Sequence, residues 1–103
     1  MTDRQELARA AELFRTLGSE SRLELLVLLA AEALSVSKLV ELSGMNQPLV
    51  SQHLRTLREV GLVSVEAQGR ERVYRLQDQH VAHVVADALT HAGEACPDEG
   101  VSP

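Results

Sequence analysis

Apolar residues recur every three or four positions along the first part of the chain, which is the spacing of helices that bury one face. The first run ends at Gly18. Ser19, Ser35 and Asn46, which are residue types that commonly cap helices, precede three further runs. Pro48 is tolerated in the last of these because it falls in the first turn. The apolar positions that carry the pattern are Leu7, Ala10, Ala11, Phe14 and Leu17 in the first helix, Leu23, Leu26, Val27 and Ala30 in the second, Val36, Leu39, Val40 and Leu42 (all inward) in the third, and Val50, Leu54, Leu57 and Val60 in the fourth.

The pattern changes after Gly61, where the fourth helix is expected to end. Two β-rich runs, 62–67 and 72–76, surround the turn segment 68–71 and predict a β-hairpin with a basic tip. A final helix is expected to begin near Asp78 and to extend into the low 90s. Its apolar stripe consists of Val81, Val84, Val85, Ala88, Leu89 and Ala92. The order of four helices, a hairpin and a helix predicts a mainly α fold with a β-hairpin wing, the winged helix-turn-helix.

Length and composition indicate one small domain. The chain has 103 residues, of which 45% are hydrophobic and 24% charged, an ordinary globular balance. Residues 1–94 are expected to form the domain and residues 95–103 a disordered tail. The longest uncharged apolar run, 25–31, is far too short to span a bilayer, and no apolar signal segment opens the chain. We therefore expect a cytoplasmic protein that does not contact the membrane.

The residue types that are scarce exclude several classes of function. The single cysteine, Cys96, cannot form a disulfide within one chain. Phe14 and Tyr74 are the only aromatic residues, which argues against a protein that stacks on single-stranded bases. The sequence contains no phosphate-binding loop and no convincing nucleophile–base pair, so an enzyme is not expected. A chain this short buries a modest core, which favours a homodimer.

The net charge of −5 is unevenly distributed along the chain. Residues 1–44 carry five basic and seven acidic side chains, a net charge of −2. Residues 45–75 carry five arginines and three glutamates, a net charge of +2, whereas residues 76–103 carry five acids and no lysine or arginine. The middle segment is therefore the part of the chain that could dock on a polyanion.

The fourth predicted helix has a polar face opposite its apolar one. Ser51, Gln52 and Arg55 point away from the apolar side, and Gln47 lies at the border between the two faces. These side chains suit base edges and phosphates in a major groove, although a solvated helix face has the same pattern. The short helix that precedes this one and the basic hairpin that follows favour DNA. His53 falls within the apolar arc and is expected to be a hydrogen-bonded packing residue.

Three stretches of the chain together resemble the bacterial ArsR/SmtB family. They are Leu-Gly-Ser-Glu-Ser-Arg-Leu-Glu-Leu-Leu at 17–26, Val-Ser-Gln-His-Leu-Arg-Thr-Leu-Arg-Glu-Val-Gly-Leu-Val at 50–63 and Gly-Arg-Glu-Arg-Val-Tyr-Arg-Leu at 69–76. The similarity extends over about residues 7–94, and the Ser-x-His-Leu-x-x-Leu-x-x-x-Gly-Leu-Val core is fairly specific to the family.

The resemblance implies a homodimeric winged-helix repressor of double-stranded operator DNA, in a family of which many members release DNA on binding metal. It further implies that Gln47, Ser51, Gln52 and Arg55 face the operator, and that Arg70 and Arg72 on the hairpin reach flanking phosphates or a minor groove. These residues are expectations for the structure.

The final helix carries a spaced set of metal-binding residue types. His80 and His91 are eleven residues apart, close to three turns, so they lie on one edge of the helix but about 16 Å apart. Zinc needs its nitrogen ligands about 2 Å away, so one straight helix cannot chelate with both ends. Two antiparallel helices can, because Asp78 and His80 of one chain then meet His91 and Glu94 of the other, twice per dimer. The set Asp-x-His-x10-His-x2-Glu matches the last-helix zinc motif of the family at all four positions.

Structural roles for the same residues remain open. Asp78 is a plausible N-cap of the helix, and the histidines, His83 included, could simply be exposed. Gly93 weakens the end of the helix beside Glu94 by about 1 kcal/mol relative to alanine. Water, His83 or Cys96 are therefore alternatives to Glu94 as the fourth ligand.

The available ligands favour Zn(II) as the allosteric effector. Two imidazoles and two carboxylates form a closed nitrogen–oxygen set that suits zinc. Members of the family that sense soft metals carry Cys-x-Cys near the third helix, and Ser35 and Ser37 occupy these positions here. The sequence therefore predicts a repressor that binds an inverted-repeat operator and dissociates when Zn(II) fills two intersubunit sites. The alternatives are a winged-helix repressor that senses Ni(II), Co(II) or a non-metal signal, and a small metal-buffering or hydrolytic protein.

Overall fold

The computed structural model describes residues 2–95. Its elements in chain order are α1 (Arg4–Leu17), α2 (Glu20–Ala31), β1 (Leu34–Ser35), α3 (Val36–Ser43), α4 (Gln47–Glu59), β2 (Val63–Gln68), β3 (Glu71–Leu76) and α5 (Gln79–Ala95). This order confirms the mainly helical fold with a β-hairpin wing. The tail expected over residues 95–103 lies, apart from Ala95, outside the described residues.

Side-chain caps fix where the helices begin. Ser19, Ser35 and Asn46 each accept a backbone N–H from three residues further along, at 3.3, 3.1 and 2.9 Å. The caps predicted at Ser19 and Asn46 are therefore confirmed, and Ser35, which directly precedes α3, caps that helix as well. Asp3 also caps α1 through a reciprocal pair of hydrogen bonds with Glu6, which the apolar pattern could not indicate because it starts further along the chain.

The sheet has one strand more than the pattern predicts. β2 and β3 form the expected hairpin, in which Gln68 pairs with Glu71 across a two-residue turn. Gly69 supplies the positive φ of 63° at the first turn position, as a type II′ turn requires. The two-residue strand β1 then pairs antiparallel with β3, which gives the sheet order β1-β3-β2. A strand this short has no detectable period, so the sequence alone could not show it.

The core is formed mainly by α2, α3, α4 and the sheet. Its fully enclosed side chains are Leu25, Leu26, Leu39, Val50, Leu54, Leu57 and Val63, and Val81 and Val85 attach α5 to it. The expected inward position of Leu42 is wrong, since its side chain is 49% exposed. Leu42 is turned about 110° from the centre of the stripe made by Val36, Leu39 and Val40, so it points away from the core. In α2 the buried stripe is likewise Leu25, Leu26 and Leu29, and Val27 is exposed.

Helix α1 leaves much of its expected buried face uncovered. Leu13 and Leu17 pack against the core, but Leu7 is exposed and Phe14 is 64% exposed. On α5, Val84 and Leu89 are exposed as well. Within residues 2–95, no helix has the length and apolar character needed to cross a membrane.

Candidate DNA-binding surface and metal ligands

Helix α4 separates packing residues from polar residues, as its sequence pattern predicts. Val50, Leu54 and Leu57 are completely buried, and Val60 packs against the same core. The opposite face exposes Gln47, Gln52 and Arg55, while Ser51 is half-buried. The polar face is thus held outward by a rigid helix and is free to meet a ligand.

The wing folds back beside the start of α4. Gln47, Ser51, Arg70 and Arg72 line one cleft of about 350 Å³, so the structure brings together four of the six predicted DNA-binding residues. Gln52 and Arg55 do not line this cleft but are exposed on the same helix. A helix face and a hairpin tip therefore form a continuous polar surface.

Four residues that line the same cleft were not predicted to do so. They are Ser35, Val36 and Ser37, around the start of α3, and Glu71 on the wing. Ser35 already caps α3, whereas Ser37 is exposed in its first turn. Only the pairing of β1 with β3 brings this end of α3 to the hairpin, and that contact has no local sequence signal.

The arginines of the middle segment differ in how free they are. Arg75 donates to Glu66 at 3.0 Å, so its charge is already paired. Arg55, Arg70 and Arg72 form no salt bridge among the residues that the structure describes. The positive charge available to a polyanion is therefore concentrated on the outer face of α4 and at the hairpin tip.

The predicted metal ligands are divided between the two ends of α5. Asp78 Oδ1 accepts the backbone N–H of Val81 at 3.1 Å, so Asp78 caps the helix. His80 Nδ1 lies 3.6 Å from the same oxygen, and the His80 side chain is 93% exposed. His91 and Glu94 are exposed near the other end. Capping leaves the other carboxylate oxygen of Asp78 able to bind a metal, because a carboxylate has several acceptor sites.

One chain alone does not assemble a metal centre in the described region. Across residues 2–95, no group of three or more histidine, cysteine, aspartate or glutamate side chains is close enough to hold an ion. This follows from the length of α5, since eleven residues of helix rise about 16 Å between His80 and His91. A site that uses both ends of the motif requires ligands from a second chain.

Two of these candidate ligands lie beside exposed apolar surface. Asp78 and His80 line a groove of about 320 Å³ between α1 and α5. The rest of the groove is formed by Ala10, Leu13, Phe14, Leu17, Val60, Gly61, Leu62, Val81, Val84 and Val85. An open apolar groove of this kind is a surface on which another protein chain can pack.

His53 packs as the sequence predicts but lacks the predicted hydrogen bond. The residue is half-buried, and its Nδ1 atom is enclosed without a hydrogen-bond partner anywhere in residues 2–95. Burial lowers the pKa of the imidazole below its usual value of 6.5, and the nearby charge of Arg22 lowers it further. His53 is therefore held neutral at physiological pH.

These features define a winged helix-turn-helix protein in which the exposed polar face of α4 and the hairpin form the candidate DNA-binding surface. The sequence also matches the family described as "Bacterial regulatory protein, arsR family" over residues 19–65. The chain belongs to the ArsR family, and it is a transcriptional repressor of the metal-sensing ArsR/SmtB type. It is consequently a DNA-binding regulator rather than an enzyme.

Two proteins of Mycobacterium tuberculosis (strain ATCC 25618 / H37Rv) are among its relatives. The chain is 45% identical over 91 residues to the HTH-type transcriptional repressor SmtB, which covers 88% of this chain and 67% of that protein. It is 41% identical over 90 residues to the HTH-type transcriptional regulator NmtR, covering 87% of this chain and 75% of that protein. These relatives confirm the family that the sequence motifs indicate.

Solved structures show the same fold. The solution structure of a homodimeric winged helix-turn-helix DNA-binding domain from Mycobacterium bovis has a TM-score of 0.82 at 30% identity, over 91% of this chain and 89% of that one. The solution structure of apo-NmtR has a TM-score of 0.77 at 36% identity, over 100% of this chain and 87% of that one. The winged helix-turn-helix predicted from the sequence is therefore confirmed.

Proposed function

We propose that the protein is a homodimeric repressor that binds an inverted-repeat operator and releases it when Zn(II) fills two sites shared between the final helices. The observation that carries this proposal is the separation of His80 from His91 along one straight helix, α5, beside an open apolar groove. A second antiparallel copy would cover such a surface and would supply the missing half of each site.

On the DNA side, each chain contributes two kinds of contact. Gln52 and Arg55 are exposed on α4 and suit the base edges of a major groove. Arg70 and Arg72, at the wing, suit phosphates or a minor groove, and Ser37 lies across the cleft from them. Two copies related by a twofold axis would read half-sites about one helical turn apart.

The metal site would use Asp78 and His80 of one chain with His91 and Glu94 of its partner. The four side chains are exposed or capping, and apart from the 3.6 Å contact between His80 and Asp78 none of them forms a salt bridge among the described residues. Zinc would supply a cross-link between the two helices. Two nitrogen and two oxygen ligands suit its preference for four-coordination.

A Ni(II) or Co(II) effector is the alternative with an observation in its favour. His83 is exposed on α5 one turn beyond His80, and it could add a ligand for a metal that prefers a larger set. A non-metal signal remains the second alternative, because the groove between α1 and α5 is apolar.

Metal and operator would oppose each other through the dimer geometry. Zinc would weaken operator binding if it favours an arrangement of the two chains in which the α4 helices no longer match successive grooves. Operator DNA must then weaken zinc binding by the same factor as zinc weakens DNA binding. Couplings of this kind are on the order of 1–3 kcal/mol. A repressor that acts on operator DNA would work in the cytoplasm, the location expected from the sequence.

The test is an electrophoretic shift on the promoter of the protein's own gene, with and without Zn(II). We expect a shifted complex in the presence of a chelator, and its loss when zinc is added. The same titration with Co(II) should give the visible spectrum of a tetrahedral nitrogen–oxygen site, unchanged in Cys96→Ser. An operator complex that is insensitive to zinc, nickel and cobalt would leave only the non-metal alternative.

A further inference from the structure

The position of His53 sets it apart from the other three histidines of the chain. His53 lies on α4, directly after Gln52 and two residues before Arg55, but its ring turns toward the core. Its Nδ1 atom is enclosed and has no hydrogen-bond partner in the described structure. His80, His83 and His91 are all exposed on α5. His53 is therefore the one histidine of the described structure whose protonation state is coupled to the packing of α4.

Arg22 holds a positive charge near this ring. Its Nε atom donates a hydrogen bond of 2.8 Å to the backbone carbonyl of Thr16, at the end of α1. Thr16 is the one buried polar residue in the described part of the chain. Because Arg22 is tied to buried backbone, its guanidinium is not free to swing away from His53.

Among the described residues, burial and Arg22 are the influences on the pKa of this ring, and no acidic side chain opposes them. Helix α4 packs against α2, α3 and β2. On α2, Glu20 and Glu24 are exposed to solvent. On α3, Lys38 and Glu41 pair with each other at 3.5 Å, and Glu66 of β2 pairs with Arg75 of β3. A proton on His53 would thus face Arg22 without a compensating carboxylate.

We propose that His53 is a positioning residue for DNA binding: as a neutral ring with its Nδ1 atom enclosed it holds α4 in the orientation that meets the operator, and its protonation loosens that orientation. The inference rests on the proposed operator binding but not on the metal site. It makes operator affinity depend on pH through the protonation of a half-buried side chain of α4.

The sign of the effect follows from the environment of the ring. Burial and Arg22 both lower the pKa of His53 in the folded protein below the usual 6.5. The packing that depends on the neutral ring is therefore fully present above that value, and is lost as the pH falls through the lowered pKa. For each chain, operator affinity should fall by about tenfold per pH unit once this proton binds.

The experiment measures operator affinity by fluorescence anisotropy, with a chelator present, between about pH 7.5 and about pH 5. In the wild-type protein we expect affinity to fall steeply at the acid end. His53→Gln retains a polar side chain of similar size without a titrating ring, and its profile should be flatter by about one proton per chain. Asp87→Asn, at an exposed position of α5 with no proposed role in DNA or metal binding, is the control and should keep the wild-type profile. Identical profiles for His53→Gln and wild type would overturn the proposal.

A second measurement does not depend on DNA or on the stability of a variant. The ring resonances of the wild-type protein can be titrated by nuclear magnetic resonance, and that of His53 should have a midpoint below 6.5. A midpoint at or above that value would show that the ring is not held neutral, and the proposal would be wrong. Failure of operator binding at every pH, by contrast, would refute the proposed function and not the packing of His53.

Discussion

The two candidate sites of the molecule differ in whether one chain supplies all of their residues. Around α3, α4 and the wing, the polar residues converge on one cleft and stand on helices with their own caps. Along α1 and α5, apolar side chains such as Phe14 and Leu89 remain exposed, and the two histidines of the metal motif lie at opposite ends of a helix. The candidate DNA-binding surface is therefore assembled within one chain. The proposed metal site needs a second copy of the chain to complete it.

This difference matches the different requirements of DNA binding and of metal sensing. A DNA half-site needs only one domain, so its contacts can be preorganised within one core. A sensor that must change the relation between two domains has to contact both of them, and ligands divided between chains meet that need. The incompleteness of the α5 site is therefore what the proposed mechanism requires. The predictions below test whether the division is real.

The largest expected effect concerns the shared metal site. In a homodimer of His80→Ala or of His91→Ala, both metal sites lack one histidine. We expect zinc affinity to fall by about a hundredfold or more, since changes to residues that only support metal ligands already cost about 10–100-fold. A heterodimer of the two variants combines both mutations in one site and leaves the other intact. It should recover one tight zinc per dimer, as measured by competition with a chromophoric chelator.

Heterodimer formation has to be verified independently, for example with two different affinity tags. Asp87→Ala serves as the control, because it removes another exposed carboxylate of α5 that is not among the candidate ligands. If each chain formed its own site, every site in the heterodimer would still lack a histidine. A verified heterodimer without restored binding would falsify the division of ligands between chains.

The next effect tests the completeness of the DNA surface. Arg55→Ala should cost about 1–3 kcal/mol of operator affinity and relax base preference, since it removes a contact to base edges. Arg70→Ala and Arg72→Ala should weaken binding to all DNA sequences evenly. Each should also reduce the slope of log affinity against log salt concentration by about one, the value for one lost phosphate contact. Affinities at several salt concentrations for operator and scrambled DNA separate the two effects.

Arg75→Ala is the matched control on the same hairpin. Its guanidinium already pairs with Glu66 and it does not line the cleft, so we expect little change in DNA binding. Equal losses at Arg70, Arg72 and Arg75 would mean that only the overall charge of the wing matters. No loss at Arg70 and Arg72 would mean that the hairpin does not contact DNA.

The sequence predicts these two sites unequally well. The buried face and cap of α4 follow from local patterns, so Val50, Leu54 and Asn46 behave as expected. The cleft with Ser37 depends on the pairing of β1 with β3, which joins residues far apart in the chain. The exposure of Phe14 could not be predicted because an apolar stripe does not specify which surface covers it.

A smaller effect tests how the cap positions the DNA-binding helix. Asn46→Ala removes the side chain that accepts the Leu49 N–H at 2.9 Å, and should lower the free energy of unfolding by about 1 kcal/mol. Ser19→Ala removes a comparable cap from α2. Chemical denaturation should show similar losses for both variants. Only Asn46→Ala should weaken operator binding by more than its loss of stability explains, because α4 carries the reading residues and α2 does not.

The smallest expected effect concerns Gly93, beside the candidate ligand Glu94. Gly93 lies within α5 and does not have a positive φ, and a Cβ added there meets no atom within 4 Å in the described structure. Gly93→Ala should therefore raise the free energy of unfolding by about 0.5–1 kcal/mol, because alanine loses less backbone entropy in a helix. If Glu94 is a ligand in the shared site, the firmer helix end should also tighten zinc modestly.

Gly61→Ala provides the contrast for this last measurement. Gly61 also has open space around its Cβ position, but its φ of 80° is unfavourable for any residue with a side chain. The same substitution should therefore destabilise the protein at 61 and stabilise it at 93, as measured by denaturant titration of both variants. Zinc affinity that stays unchanged in a stabilised Gly93→Ala dimer would indicate that Glu94 is not a ligand. The fourth position would then belong to water, His83 or Cys96, and the shared site would be held by the remaining three residues.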